Sequence, residues 1–325
     1  MHQNKQIIFW LMLSAFMVII MIFVGGWTRL ADAGLSIVEW RPVTGILPPF
    51  TDSDWEEEFT KYKRSPEFEK LHNHFTLGDF KEIFWLEFIH RILGRITGMI
   101  IFIPALFFWY KRSLRDWKPY LSMVLLVGFQ GFMGWWMVKS GLVDDPHVSH
   151  FRLAAHLITA LILYSLIFGE LLALCYGDVQ KMNKSMNIIS YIALICLFVQ
   201  IFLGALVAGL DAGMIYNTFP LMGNSFVPSE FHLSWAMFYD PASVQFLHRY
   251  CGYCLAIILC ILAYNVRNLA KYSAIMLISS VFVQILLGVL TVIYVVPMKL
   301  ALAHQLFAVL LLSILLNVIR RKKYG

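Results

Sequence analysis

Residues 25–34 read Gly-Gly-Trp-Thr-Arg-Leu-Ala-Asp-Ala-Gly, and residues 204–213 read Gly-Ala-Leu-Val-Ala-Gly-Leu-Asp-Ala-Gly. Each stretch follows or closes a long charge-free run, Gln6–Thr28 in one case and Ser185–Leu210 in the other. A bilayer-crossing helix needs about 20 mostly apolar residues, so the likeness marks two corresponding helix ends. Three further echoes follow in the same order. Phe88-Ile89-His90-Arg91 matches Phe246-Leu247-His248-Arg249, Gln130 with Gly134 matches Gln284 with Gly288, and Leu153-Ala154-Ala155-His156 matches Ala301-Leu302-Ala303-His304. The offsets shrink steadily from 179 to 148, as expected when helices match and loops differ in length. The chain therefore reads as a tandem repeat.

The remaining charge-free runs are Ile96–Tyr110, Pro119–Val138, Leu153–Gly169, Tyr250–Val266, Tyr272–Met298 and Leu300–Ile319. Three of them reach spanning length only when His90–Arg95, Glu170–Cys175 and Phe246–Arg249 join their helices, which puts charged side chains at the interface, where they snorkel. The reading is an all-α integral membrane protein whose eight transmembrane helices form two pseudo-symmetric four-helix bundles, residues 1–178 and 179–325. Four is even, so both halves insert the same way, related by an axis along the membrane normal.

Composition agrees. The 325 residues are 59% hydrophobic and 14% charged, with a mean hydropathy of +0.70. Soluble domains carry about 25% charged residues, which excludes a cytosolic enzyme, a nucleic-acid binder and a disordered protein. The net charge of +6 follows topology instead. Lys5, the second loop (Lys111, Arg112, Arg115, Lys118), the fourth (Lys181, Lys184), the sixth (Arg267, Lys271) and the tail from Arg320 to Lys323 are basic, whereas the short odd loops hold only Lys139, Arg152 and Lys299. Positive residues stay inside, so both termini are expected in the cytoplasm. The first apolar stretch is long enough to span and no small-residue cleavage site follows, unlike a signal or transit peptide. A bacterial inner membrane is the simplest home. The five cysteines lie within or beside apolar runs and form no disulfide framework. The Cys251–Cys254 pair falls inside the sixth span and reads as packing.

Four histidines recur in the repeat: His90, His156, His248 and His304. Each is expected to start an even-numbered helix near the outer leaflet. Ionisable groups at membrane depth are expensive and functional by default. Two imidazoles on neighbouring helices suit the axial positions of a haem iron, and without further ligands they make a poor zinc site. Gly128, Gly131 and Gly134 recur every third residue, a flat strip suited equally to a macrocycle or to a second helix. Arg91 and Arg249 follow two of the histidines, placed for haem propionates or for lipid phosphate. The halves differ at one polar position: Glu87 lies three residues before His90, where the second half has Gln245. A carboxylate there can take a proton, orient a water or stabilise positive charge; at a helix start it can also act as a cap. His72 and His74 read as solvated. His147 and His150 precede the fourth span, as proton shuttles or propionate contacts.

These segments resemble the haem A synthase family: GGWTRLADAGLSIVEWRPVTGILPP (25–49), FWLEFIHRILGRITG (84–98), FQGFMGWWMVKSGL (129–142), VSHFRLAAH (148–156), GALVAGLDAGMIYNTFPLMG (204–223), VQFLHRYCGY (244–253) and the His304 helix. The resemblance implies that His248 and His304 ligate a haem b, that His90 and His156 hold the substrate haem O, and that Glu87 is the catalytic carboxylate. It implies oxidation of the haem C8 methyl to a formyl through an alcohol and a hydrated aldehyde, giving haem A for cytochrome oxidase. It implies haem O synthase, cytochrome oxidase assembly factors, membrane lipid and an electron donor or acceptor as partners, and no nucleic acid. The first and fifth loops lack cysteine, as in the proteobacterial and mitochondrial-like branch. The rival reading is a di-haem b-type, quinol-oxidising electron carrier of the b561 kind. A transporter would need spans broken at mid-membrane, which no run shows.

Overall fold

Inside hydrocarbon every backbone amide must find its partner within the chain, and a single helix achieves this unaided. The chain meets that demand with helices throughout. The computed structural model describes residues 2–40, 45–111, 116–142, 146–176 and 184–320. Residues 41–44 of the first matching segment, and Arg112, Arg115, Lys181 and residues 321–323 of the charge argument, lie outside the described residues. Among the described residues there are ten α-helices and no strand: α1 (His2–Leu30), α2 (Asp52–Tyr62), α3 (Pro66–Lys70), α4 (Leu77–Tyr110), α5 (Lys118–Ser140), α6 (His150–Tyr176), α7 (Lys184–Gly209), α8 (Pro241–Val266), α9 (Lys271–Ile293) and α10 (Met298–Arg320). Eight of them, all but α2 and α3, are long and apolar enough to cross a membrane.

Packing divides the chain into two compact units, residues 16–156, and residues 1–15 together with 157–325. In the latter, α7 packs on α8, α8 on α9, α9 on α10 and α10 on α7, closing a ring of four helices. Its interior is aliphatic, with Leu197, Leu206, Leu259, Leu277 and Leu312 all at most 2% exposed. The repeat is also written in the backbone. Asp32 and Asp211, which occupy matching places after α1 and α7, both adopt left-handed φ values, 45° and 49°. Aspartate is among the few residues other than glycine that visit this region readily.

Two helix limits differ from the sequence expectation. α4 begins at Leu77, so His90 sits well along the helix rather than at its start, whereas His156, His248 and His304 do lie within the first turns of theirs. The extra turns of α4 come from a capping box, in which Thr76 and Asp79 exchange hydrogen bonds with each other's backbone, and from an aromatic cluster beneath them. α9 stops at Ile293, short of the apolar run's end. Val295 and Val296 turn to φ 59° and 55°, and Pro297 disfavours helix in the residue before it.

The first loop is more ordered than its polar composition implies. Thr51 and Asp54 form a second capping box on α2, and Ser65 with Pro66 starts α3. Trp55, Phe59 and Tyr62, spaced for one helical face, pack on Phe80 and Phe84 of α4. Within this cluster the Tyr62 hydroxyl donates to Glu67 Oε2 at 2.9 Å and lies 2.7 Å from His72 Nδ1. Glu67, Tyr62 and His72 are thus joined in one hydrogen-bonded chain. His72 also stacks on Phe75 at 4.0 Å. The expectation of a solvated His72 is therefore corrected; His74 is exposed.

Glu67 is 3% exposed. Burial pushes its carboxyl up to about 8, with the Tyr62 hydrogen bond pulling it partly back. Burial likewise lowers His72 below its ordinary value. For Glu67 the folded loop holds a proton that the unfolded loop releases near 4.5, so its contribution to stability falls as pH rises from 4.5 to about 8. His72 acts oppositely, but only below its unperturbed value of 6.5. Between 6.5 and about 8 only Glu67 acts. Amide exchange of residues 52–70, normalised for intrinsic rates, should quicken across that window, and Glu67→Gln should flatten the profile. An equally steep profile in that variant would refute the assignment.

Candidate functional site

The four repeated histidines share one setting. Each is half-buried, and each ring lies against a glycine of the preceding spanning helix. A Cβ on Gly25 would stand 3.3 Å from His90, on Gly134 3.6 Å from His156, on Gly204 3.0 Å from His248 and on Gly288 2.9 Å from His304. Any side chain at Gly204 or Gly288 would displace the imidazole. Gly128 and Gly131, read from sequence as part of the same strip, have nothing within 4 Å of such a Cβ; only Gly134 meets a histidine.

His248 and His304 face each other with ring centroids 6.5 Å apart and planes at 82°. Two metal–imidazole bonds of about 2 Å put opposed nitrogens about 4 Å apart and ring centres about 2 Å farther. The pair therefore has the spacing for one metal ion between them. Among the described residues no group of three or more His, Cys, Asp or Glu could hold a bare ion. Two imidazoles alone suit a metal that brings its remaining ligands in a macrocycle. In the other unit Gly25 and Gly134 set His90 and His156 against their neighbouring helices in the same way.

Glutamines not singled out as histidine partners from the sequence complete this setting. Gln130, Gln200 and Gln284 each donate from Nε2 to the backbone carbonyl of His156, His248 and His304, at 3.1, 2.9 and 3.2 Å. Their carbonyl oxygens Oε1 are buried without a partner. The signal was present as a recurring Gln-x-x-x-Gly, read at only two of its three positions.

Glu87 is 2% exposed, and its carboxylate is fully engaged. Oε2 accepts from the Ser36 hydroxyl at 2.6 Å and the Ile37 amide at 2.9 Å, while Oε1 accepts from Arg91 Nε at 3.0 Å and Nη2 at 2.6 Å. Arg91 reaches on to the carbonyls of Ile37 and Glu39 and lies over Trp40. Arg249 repeats the arrangement, donating to the carbonyls of Tyr216, Thr218 and Leu221, and Gln245 also donates to Tyr216. Tyr216 and Thr218 are the repeat counterparts of Ile37 and Glu39. Each arginine is thus a latch that fastens the loop after an odd helix onto the next spanning helix. Arg249 Nε is buried without a partner, whereas Arg91 spends its Nε on Glu87. Two clefts open beside Arg91, one bordered by Trp40, Trp135 and Lys139, the other by Pro48, Phe88 and Arg95.

The remaining sequence candidates are not gathered into this site. His150 opens α6 with its ring on Phe151, His147 lies in the segment before it, and all five cysteines are free thiols.

The Glu87–Arg91 pair is buried, at 3% and 12% side-chain exposure. Removing one partner leaves an uncompensated charge, a loss of about 3–5 kcal/mol. Arg91→Ala should lower the melting temperature and speed amide exchange at residues 36–39, and Glu87→Gln added to it should recover part of that loss. Additive losses in the double variant would contradict a direct pairing.

A family model described as Cytochrome oxidase assembly protein (COX15-CtaA) matches residues 8–316. The chain is 47% identical to the Heme A synthase of Rickettsia felis over 97% of each chain. It is 49% identical to that of Rickettsia bellii over 96% of this chain and 97% of the relative, and 47% identical to that of Rickettsia rickettsii over 97% of each. Matched along nearly its whole length, this chain belongs to the haem A synthase family of cytochrome oxidase assembly proteins.

Proposed function

We propose that this protein oxidises the C8 methyl of haem O to a formyl, giving haem A for cytochrome oxidase. The observation that carries the reading is a duplicated histidine-on-glycine cradle of which only one copy has a carboxylate one turn away. The second cradle, His248 with His304, would hold haem b, which supplies one-electron chemistry when bound. The first, His90 with His156, would hold haem O as substrate. The two cradles would belong to pseudo-symmetric bundles, residues 1–178 and 179–325, in a bacterial inner membrane with both termini cytoplasmic.

The residues around the cradles divide the work. Arg249, with a buried Nε–H unspent, is placed to receive a propionate; Arg91 serves the first half, its guanidinium already shared between Glu87 and the loop. Glu87 accepts four hydrogen bonds, which is about the capacity of a carboxylate. That favours a fixed negative charge over a mobile base. Such a charge beside the substrate stabilises positive charge developing at the oxidised carbon without reorganising when the reaction occurs. Ser36 and the Ile37 amide hold that oxygen in place. Haem O synthase would deliver the substrate, and assembly factors of cytochrome oxidase would take the product.

Glu87→Gln should retain bound haem while formyl formation falls about 100-fold or more, within the range for a lost electrostatic group. Wild-type haem A yield in that variant would sink the catalytic assignment. His248→Ala or His304→Ala should strip haem b from purified protein; unchanged spectra in both would refute the second cradle. A variant set that holds two permanent b haems and never yields haem A would favour the electron-carrier alternative.

A further inference from the structure

Each cradle glycine has a residue one helical turn before it, and three of the four are glutamine: Gln130 before Gly134, Gln200 before Gly204, Gln284 before Gly288. The fourth, before Gly25, is Met21. All three glutamines grip the backbone carbonyl of their histidine. In the second half the same nitrogen also touches the ring, 3.0 Å from His248 Nδ1, and 3.3 and 3.4 Å from the two ring nitrogens of His304. Gln200 Nε2 is also 3.5 Å from His248 Nε2, so in the second half each glutamine amide contacts the imidazole as well as its backbone and steadies the ring.

Met21 fills the corresponding space. Its Cε lies 3.6 Å from the position of a Cβ on Gly94, as Gln200 Nε2 lies 3.2 Å from that on Gly252. Gly94 and Gly252 each stand four residues after their histidines, His90 and His248. The shape of the device is preserved and its donor is removed, since a thioether has no N–H to give. The removal occurs at one position only, the histidine one turn from Glu87.

We infer that Met21 makes His90 the loosely held imidazole of the four, so that the first cradle exchanges its macrocycle while the second retains its own. Gln130, Gln200 and Gln284 are positioning residues, acting through the histidines they grip. The inference rests on the proposed function, in which haem O must enter one cradle and leave it as haem A while haem b stays in the other. An imidazole pinned at its backbone and its ring loses less freedom on binding a metal, and partners of this kind are worth about 10–100-fold in affinity. A substrate site gains turnover by forgoing that hold.

Full-length protein purified from membranes, its porphyrins extracted and quantified, provides the test. Met21→Gln should raise the haem O plus haem A retained per haem b and slow their exchange against added haem about tenfold, with kcat and KM falling together. Met21→Leu, which lacks a donor but keeps the volume, should behave as wild type. Gln200→Met should lower retained haem b about tenfold with His248 intact, and this variant decides the matter if Met21→Gln does not fold. Wild-type retention and exchange in Met21→Gln, or undiminished haem b in Gln200→Met, would overturn the inference. Wild-type protein that holds haem b but no haem O or A would instead count against the proposed function.

Discussion

An imidazole packed against a glycine of the neighbouring helix is the contact on which the rest of this structure depends. A Cβ would stand 3.0 Å from His248 at Gly204 and 2.9 Å from His304 at Gly288, so in the second half a side chain on the facing backbone would push the imidazole out of its place. A glycine faces the ring at all four places, Gly25, Gly134, Gly204 and Gly288, with the tightest approach at the last two, each time between an odd and an even spanning helix. A polar ring at membrane depth costs free energy unless it serves a ligand. Four such rings in matched settings support the proposed pair of ligand cradles.

The loops are subordinate to these cradles. Asp32 and Asp211 turn the chain sharply after α1 and α7, and Arg91 and Arg249 then fasten the returning backbone at equivalent carbonyls. The latch is common to both halves; the carboxylate within it is not. Glu87 and Gln245 occupy the same position, and the change from amide to acid exchanges a hydrogen-bond donor to Tyr216 for an acceptor from Ile37. One substitution in a duplicated frame thus converts a loop fastener into a buried carboxylate, against which the Arg91 shared with the latch turns its Nε and Nη2. Met21 in place of a glutamine is the second such departure, and both concern His90.

Much of this was legible beforehand. Eight spans, the tandem repeat, the four histidines and the Glu87–Gln245 mismatch follow from hydropathy and from polar residues that recur where lipid-facing helices have little reason to keep them. What escaped notice is equally physical. α2 and α3 are too short and too polar for a membrane scan, although Thr51 with Asp54 and Trp55, Phe59 and Tyr62 carried the cap and the buried face. His72 looked solvated because its partners, Tyr62 and Glu67, become neighbours only once that loop folds. The sequence left Arg91 open between a propionate and a lipid phosphate, and its hold on the carbonyls of Ile37 and Glu39 was not legible because they lie 54 and 52 residues earlier in the chain and leave no trace in a local pattern. The glutamine grip was half visible, as Gln130 with Gly134 and Gln284 with Gly288; its third member and its exception needed the structure.

The central claim is that one chain keeps one haem and transforms another. Solvent extraction and mass identification of the porphyrins in wild-type protein, expressed with a supply of haem O, tests it most directly. The account predicts haem b together with haem O and haem A. Protein that yields no porphyrin, or haem b alone under that supply, contradicts it.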